Sequence, residues 1–152
     1  MSDLPVIAPK RALAAPPGYG AYDLVDPFEA ELGPLFRKTG NEGAEKRGEP
    51  VEFAVYLDDR HCGPDGLAAP GALWPLADAF CGWTGYFYLD FEWCVTMRMS
   101  LELLMRPAGG TLLLAQGRMV HRDGAIMRID ADFSLGDGTP VMLARSIWKI
   151  TG

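Results

Sequence analysis

The sequence predicts an α+β domain, an antiparallel sheet wrapped around one long central helix, and three observations carry that expectation. From Ala125 to Leu135 the odd positions are apolar while Arg128, Asp130, Asp132 and Ser134 are polar, the two-residue period of a strand with one buried face. Asp123-Gly124 and Asp137-Gly138 flank this run as tight-turn dipeptides, so it joins Thr111 to His121 and Val141 to Ile150 in an antiparallel meander. The stretch from about Ala72 to Tyr86 is long and apolar enough to cover the buried face of such a sheet.

The remaining elements follow in chain order. Residues 1 to 22 hold Pro5, Pro9, Pro16, Pro17, Gly18 and Gly20 among alanines, a composition that resists regular structure, so residues 1–24 read as an arm and 25–152 as a single domain. Asp26-Pro27-Phe28-Glu29 has an acceptor at a helix cap, proline at the first helical position and a carboxylate at the third. Gly33-Pro34 should end that helix quickly. The polar segment from Lys38 to Pro50 reads as a loop, and Val51 to Leu57 as a strand. Pro75 fits only near a first turn, so the long helix should begin close to Pro70 or Gly71. A further strand, Thr96 to Met105, precedes a turn at Arg106-Pro107-Ala108-Gly109-Gly110.

A chain of 152 residues with 49% hydrophobic content is enough for one well-cored domain. The formal charge of -6 argues against general affinity for nucleic acid or an anionic membrane, both of which rest on clustered Lys and Arg. That charge is uneven: residues 98 to 152 carry +2 and residues 1 to 97 carry -8, so a small phosphorylated ligand would be steered to the C-terminal part. Cys62, Cys81 and Cys94 show no metal-site spacing and leave one thiol over in any pairing, the pattern of reduced thiols in a cytoplasmic protein. No basic-then-apolar leader pattern opens the sequence, and no apolar run reaches the roughly 20 residues a spanning helix needs.

One residue stands out in the long helix. Asp78 is a lone carboxylate among apolar, aromatic and small neighbours, and reads as a single acid held in a core, where charge is costly unless it is used or satisfied. It is either a chemical group or a structural acid bonded to backbone or to Thr96 or Ser100 of a neighbouring strand. Its place about two turns from the positive end of the helix partly stabilises the charge.

The run Gly71-Ala-Leu-Trp-Pro-Leu-Ala-Asp78-Ala-Phe, then Leu104-Met-Arg-Pro-Ala108, then Val120-His-Arg-Asp-Gly124, resembles the hotdog-fold acyl-CoA thioesterases of the phenylacetate-pathway type over roughly residues 25 to 150. The resemblance implies a homodimer or homotetramer with the acyl-CoA site between subunits, coenzyme A entering as part of the substrate and no separate cofactor or metal. It implies Asp78 as nucleophile or general base on the thioester, and a backbone N–H at the helix start as the donor to the carbonyl oxygen. In the family the helix opens with His-Gly-Gly, and the matching residues are Ala69, Pro70 and Gly71. Pro70 has no N–H, so Gly71 is the candidate donor, and His61 in the preceding loop the candidate polar group. The resemblance places Trp74 to wall an acyl pocket, Thr96 where the family often has a Ser or Thr of the partner subunit near the acid, and His121 and Arg122 to meet a coenzyme A phosphate. The expected activity is hydrolysis of a medium-chain or aromatic acyl-CoA. The alternative is a non-catalytic hotdog protein that binds an acyl-CoA or similar hydrophobic ester, with Pro70 marking loss of the oxyanion donor.

Overall fold

A computed structural model describes residues 13–23 and 25–152. Among them, seven strands and one long helix follow in the order β1 (Tyr19–Ala21), β2 (Leu35–Lys38), β3 (Val51–Tyr56), α1 (Pro70–Tyr88), β4 (Cys94–Leu103), β5 (Leu112–Asp123), β6 (Ile126–Leu135) and β7 (Pro140–Ile150). All strands belong to one antiparallel sheet in the order β1-β2-β3-β5-β6-β7-β4. The expected α+β architecture, a sheet around a central helix, is the observed one.

The β5-β6-β7 meander forms because its turns are local and its alternation agrees along all three strands. Met127, Ile129, Ala131 and Phe133 are buried beneath α1, while Arg128, Asp130, Arg145 and Asp132 form ion pairs on the opposite face. Leu73, Leu76, Ala77 and Phe80 carry the helix into this core, where Phe80 stacks on Phe53 at 5.4 Å between ring centroids. Gly117 permits the closest approach of sheet and helix: a Cβ there would sit 1.9 Å from Thr84 Oγ1. Thr84 instead donates its hydroxyl to Phe80 O, so the buried oxygen is satisfied within α1.

The N-terminal region departs from expectation. The early part of the arm, residues 1–12, lies outside the described residues, but its last part is integrated. Tyr19–Ala21 pairs with β2, and Tyr22 packs 4.2 Å from Trp83, ring to ring, in the core. Aromatic burial here outweighs a composition that disfavours regular structure. The expected helix at Asp26 is a single short 3₁₀ turn, Glu29–Leu32, stopped as anticipated by Gly33, whose φ of 119° suits glycine alone.

β4 follows α1 but crosses to the far side of the meander and pairs with β7, becoming a sheet edge. It is an unusually open strand. Trp93 just before it is 68% exposed, and within it Val95 and Met97 are 50% and 59% exposed. Arg106, in the turn after it, donates to Ala68 O at 2.8 Å and Leu67 O at 3.1 Å and forms a two-pronged pair with Asp65. That fork ties the end of β4 to the loop leading into α1 and so fixes where the helix starts.

Candidate functional site

α1 is closed on most of its surface and open along one stripe. Gly71, Trp74 and Asp78 are exposed, and Gly82 and Tyr86 are partly so, at the three- and four-residue spacing that places them on one face. This corrects the expectation that Asp78 is an acid held in the core: in the single chain its carboxylate is exposed, on the wall of a cleft of about 630 Å³. The cleft runs between α1, the start of β4 and the 3₁₀ turn. Its described lining includes Asp23, Asp26, Glu29 and Asp78 together with Trp83, Tyr86, Trp93 and Trp148.

The structure brings Asp78 and Thr96 together. The Thr96 hydroxyl donates to Asp78 Oδ1 at 2.5 Å, which orients the carboxylate and leaves its second oxygen toward the cleft free of any protein partner among the described residues. Ser100, the other partner considered, is turned to the opposite face of the sheet: it pairs with Arg145 and lines a small arginine-rich groove with Arg98 and Arg128. Trp148 reaches the cleft because Gly82 leaves room for it; a Cβ there would lie 3.1 Å from the indole.

Glu29 is a functional candidate that the sequence reading used only as part of a helix start. Its carboxylate accepts the Trp83 indole N–H at 3.1 Å and the Asp26 backbone N–H at 3.2 Å, while Asp26 accepts from the Glu29 N–H at 2.7 Å. This reciprocal box seats Glu29 on the cleft wall. Partial burial pushes its pKa above the ordinary glutamate value, its hydrogen bonds to Asp26 and Trp83 oppose that rise, and the nearby charges of Asp26 and Asp78 add to it. The same environment, burial first and Asp78 second, raises the Cys94 thiol to about 11, so it is a weak nucleophile.

The other expected residues lie elsewhere. Pro70 and Gly71 form the first turn of α1, with Gly71 exposed and its N–H unused by any described group. Gly71 and Asp78 are seven residues apart on the same face, hence about 10 Å apart along the axis. Trp74 stands between them, 42% exposed. His61, the candidate polar group of the preceding loop, is 3% exposed; Nδ1 accepts the Asp58 N–H at 2.9 Å and Nε2 lies 2.6 Å from Leu32 O, so both ring nitrogens serve the backbone. His121 and Arg122 are exposed near the β5–β6 hairpin: His121 stands opposite Arg128, and Arg122 donates to Gly124 O.

Solved structures share the fold of this chain. A conserved Pseudomonas aeruginosa protein, PA5202, superposes with a TM-score of 0.71 at 17% identity, over 84% of this chain and 95% of that one. A hypothetical thioesterase of Streptococcus pneumoniae TIGR4, solved with coenzyme A, superposes with a TM-score of 0.62 at 22% identity, over 68% of this chain and 82% of that one. The Escherichia coli PaaI protein from the phenylacetic acid degradation operon gives 0.61 at 15% identity, over 68% and 73%.

The chain has the hotdog fold.

No protein-family model and no curated protein matches the sequence. The hotdog architecture explains why α1 is apolar on nearly every side: the sheet curls around it, and only the stripe from Gly71 to Tyr86 escapes. That stripe continues into the exposed residues of β4, so the open face of the hotdog helix and the open edge of its sheet form one surface.

Proposed function

We propose that this protein hydrolyses an acyl-CoA thioester, with a medium-chain or aromatic acyl group in the cleft and Asp78 as the reacting carboxylate. The observation that carries the reading is the Thr96–Asp78 pair on the wall of an aromatic-lined cleft. A carboxylate held by one hydroxyl keeps its second oxygen for a water or for the thioester carbon. As general base, Asp78 takes a proton from water as the water oxygen bonds to the carbonyl carbon; the tetrahedral oxyanion then collapses, and the C–S bond breaks to release coenzyme A as thiolate, which is protonated. As nucleophile, Asp78 adds to the carbonyl carbon and the C–S bond breaks to expel coenzyme A as thiolate, leaving a mixed anhydride that water then opens to the free acid and the Asp78 carboxylate. Single-turnover hydrolysis in ¹⁸O-labelled water identifies an anhydride opened at its Asp78 carbonyl, the one path that leaves label in Asp78, and trapping with hydroxylamine tests for an anhydride opened at the acyl carbon.

The oxyanion donor that fits this chemistry is the Gly71 N–H, and it belongs to a second copy. A donor and a base acting on one carbonyl must both lie within about 3 Å of the reacting atoms, whereas within one chain Gly71 and Asp78 are about 10 Å apart along the helix. A two-fold axis passing near Trp74 sets the partner's helix antiparallel to α1, bringing a Gly71 N–H of one subunit to an Asp78 of the other twice over. The open edge of β4, with Trp93, Val95 and Met97 exposed, is the surface for that pairing. The assembly is therefore a homodimer, or a homotetramer built from such dimers. The streptococcal thioesterase that shares this fold was also solved with one aspartate and, separately, one threonine changed to alanine, the two residue types of the Thr96–Asp78 pair.

A second reading is favoured by Pro70 alone. Proline in the first helical position supplies no N–H, and a hotdog protein lacking that donor would bind an acyl-CoA or similar hydrophobic ester without turning it over. Thiol release over short-chain, medium-chain and aromatic acyl-CoAs decides. Turnover that is lost in Asp78→Asn supports hydrolysis with Gly71 as donor; saturable binding without turnover supports the second reading.

A further inference from the structure

The described lining of the cleft has four carboxylates and no Lys, Arg or His. Carboxylates alone on a surface are simply solvated, but here they line a half-open cleft together with the rings of Trp83, Tyr86, Trp93 and Trp148, and Glu29 is partly buried in its wall. Tyr86 and Trp93 stand 5.6 Å apart, centroid to centroid, with their planes tilted by 44°, and the Trp83 indole N–H fixes Glu29 beside them. Ring faces carry negative electrostatic potential, and rings combined with carboxylates form the chemistry that receives an ammonium group. Asp26 is exposed, whereas Glu29 is partly buried and takes both of its hydrogen bonds on Oε2, which leaves Oε1 of Glu29 as the carboxylate oxygen in the aromatic wall without a partner among the described residues.

Resting on the thioesterase reading for the reaction itself, we propose that the cleft selects acyl groups that end in a cationic nitrogen, with Glu29 as the specificity-determining residue. A ligand ammonium against Glu29 replaces the water that partial burial has removed and offsets the mutual repulsion of Glu29 and Asp78. A neutral acyl group of the same shape buries against the rings but leaves that repulsion in place. An anionic acyl group adds to it. The selection therefore runs from cationic through neutral to anionic, the reverse of what the arginine-rich groove on the other sheet face would give.

The test compares thiol release from 4-trimethylammoniobutanoyl-CoA, its uncharged isostere 5,5-dimethylhexanoyl-CoA, and glutaryl-CoA. Expected is a kcat/KM at least about tenfold higher for the cationic than for the neutral substrate, little turnover of the anionic one, and a cationic-to-neutral ratio near unity in Glu29→Gln. Glu29→Asp, which keeps the charge, should retain part of the preference and covers the case in which Glu29→Gln does not fold. Hydrolysis of the neutral substrate with no cationic preference, or a preference that survives Glu29→Gln, overturns the inference and leaves the thioesterase reading intact. If no thioester is hydrolysed, the thioesterase reading fails, and the inference is judged by tryptophan fluorescence with choline and its uncharged isostere 3,3-dimethylbutan-1-ol. Saturable quenching by choline that weakens in Glu29→Gln supports it; equal response to both compounds overturns it.

Discussion

α1 has two unlike faces, and the contrast separates what holds this protein together from what it does. On the closed face Leu73, Leu76, Phe80 and Thr84 are buried under the curled sheet, and neighbours fit so closely that Gly117 admits no Cβ. On the open stripe Gly71, Trp74 and Asp78 contribute little to the core of the single chain. Changes to the first face should be read as stability, and changes to the second as activity and assembly. That division is unusual for a residue such as Asp78, which looks core-bound by its neighbours in sequence yet is exposed.

The largest effect is expected at the stripe. Asp78→Asn should lower thiol release by about a thousandfold while thermal unfolding stays within about 0.5 kcal/mol of the parent, because the substituted group is exposed and Asn still accepts from Thr96. Unfolding of Asp78→Asn would erase the contrast. Next, Met97→Glu places a charge on the exposed edge of β4. Sedimentation should then report a folded monomer, with activity lost together with the dimer; an active monomer would put the whole site within one chain.

The closed face gives the matching stability prediction. Gly117→Ala should cost about 1 to 3 kcal/mol by denaturant unfolding, the usual range for overpacking a core, because its Cβ displaces the Thr84 hydroxyl from its bond to Phe80 O. Activity per folded molecule should change little, since the strained contact is on the far side of the helix from Asp78. Thr96→Val removes the hydroxyl that orients Asp78 and should lower kcat by about tenfold, less than the roughly 10² to 10⁴ that loss of the acid–base group itself costs, with a stability change near 1 kcal/mol.

The smallest effect is a pH dependence. The Glu29 carboxyl titrates above its ordinary value in the folded chain, chiefly through burial, so the folded state holds the proton more tightly than the unfolded one. Its contribution is fully present below the unfolded pKa and is lost as pH rises through the raised folded pKa. Glu29→Gln should therefore gain stability relative to the parent as pH rises from about 4 toward neutrality, read as a growing difference in Tm. A constant difference across that window would mean that Glu29 is not held in a desolvated position.

The closed face was the more legible of the two in the sequence, for a physical reason. Alternation along Ala125 to Leu135 and the two Asp-Gly turns are local signals, and they located β5, β6 and β7 within a few residues. The helix starts at Pro70 as expected, although Pro75 itself lies inside α1, past the first turn to which the sequence confined it. β1 and β2 were missed because strands of three and four residues have too short a period to read. The placement of β4 at the far edge is a pairing between distant segments, which no local pattern encodes.

The site was legible only as separate residues. Asp78 and Thr96 were both singled out, and 18 positions apart they meet across the helix and the sheet edge. The openness of Asp78 was available in the spacing of Gly71, Asp78 and Gly82, which marks a stripe of small and polar positions, but Trp74 within the stripe and the apolar residues around it masked it. Glu29 was read correctly as a cap partner of Asp26, yet nothing local indicates that the cap faces Trp83 and the cleft. His61 reads as a loop histidine because the carbonyl it bonds, Leu32 O, is 29 residues away.

The central claim is that one subunit's Asp78 works with the other's Gly71 N–H, and mixing two crippled variants tests it most directly. Asp78→Asn lacks the acid. Gly71→Pro lacks the donor, at an exposed first-turn position where proline is tolerated. Each purified variant should be nearly inactive in thiol release. Co-refolded at equal amounts, they should recover about a quarter of the parent activity, since half the dimers are mixed and each mixed dimer holds one intact site. A mixture that stays as inactive as its components would contradict the account and return the whole site to a single chain.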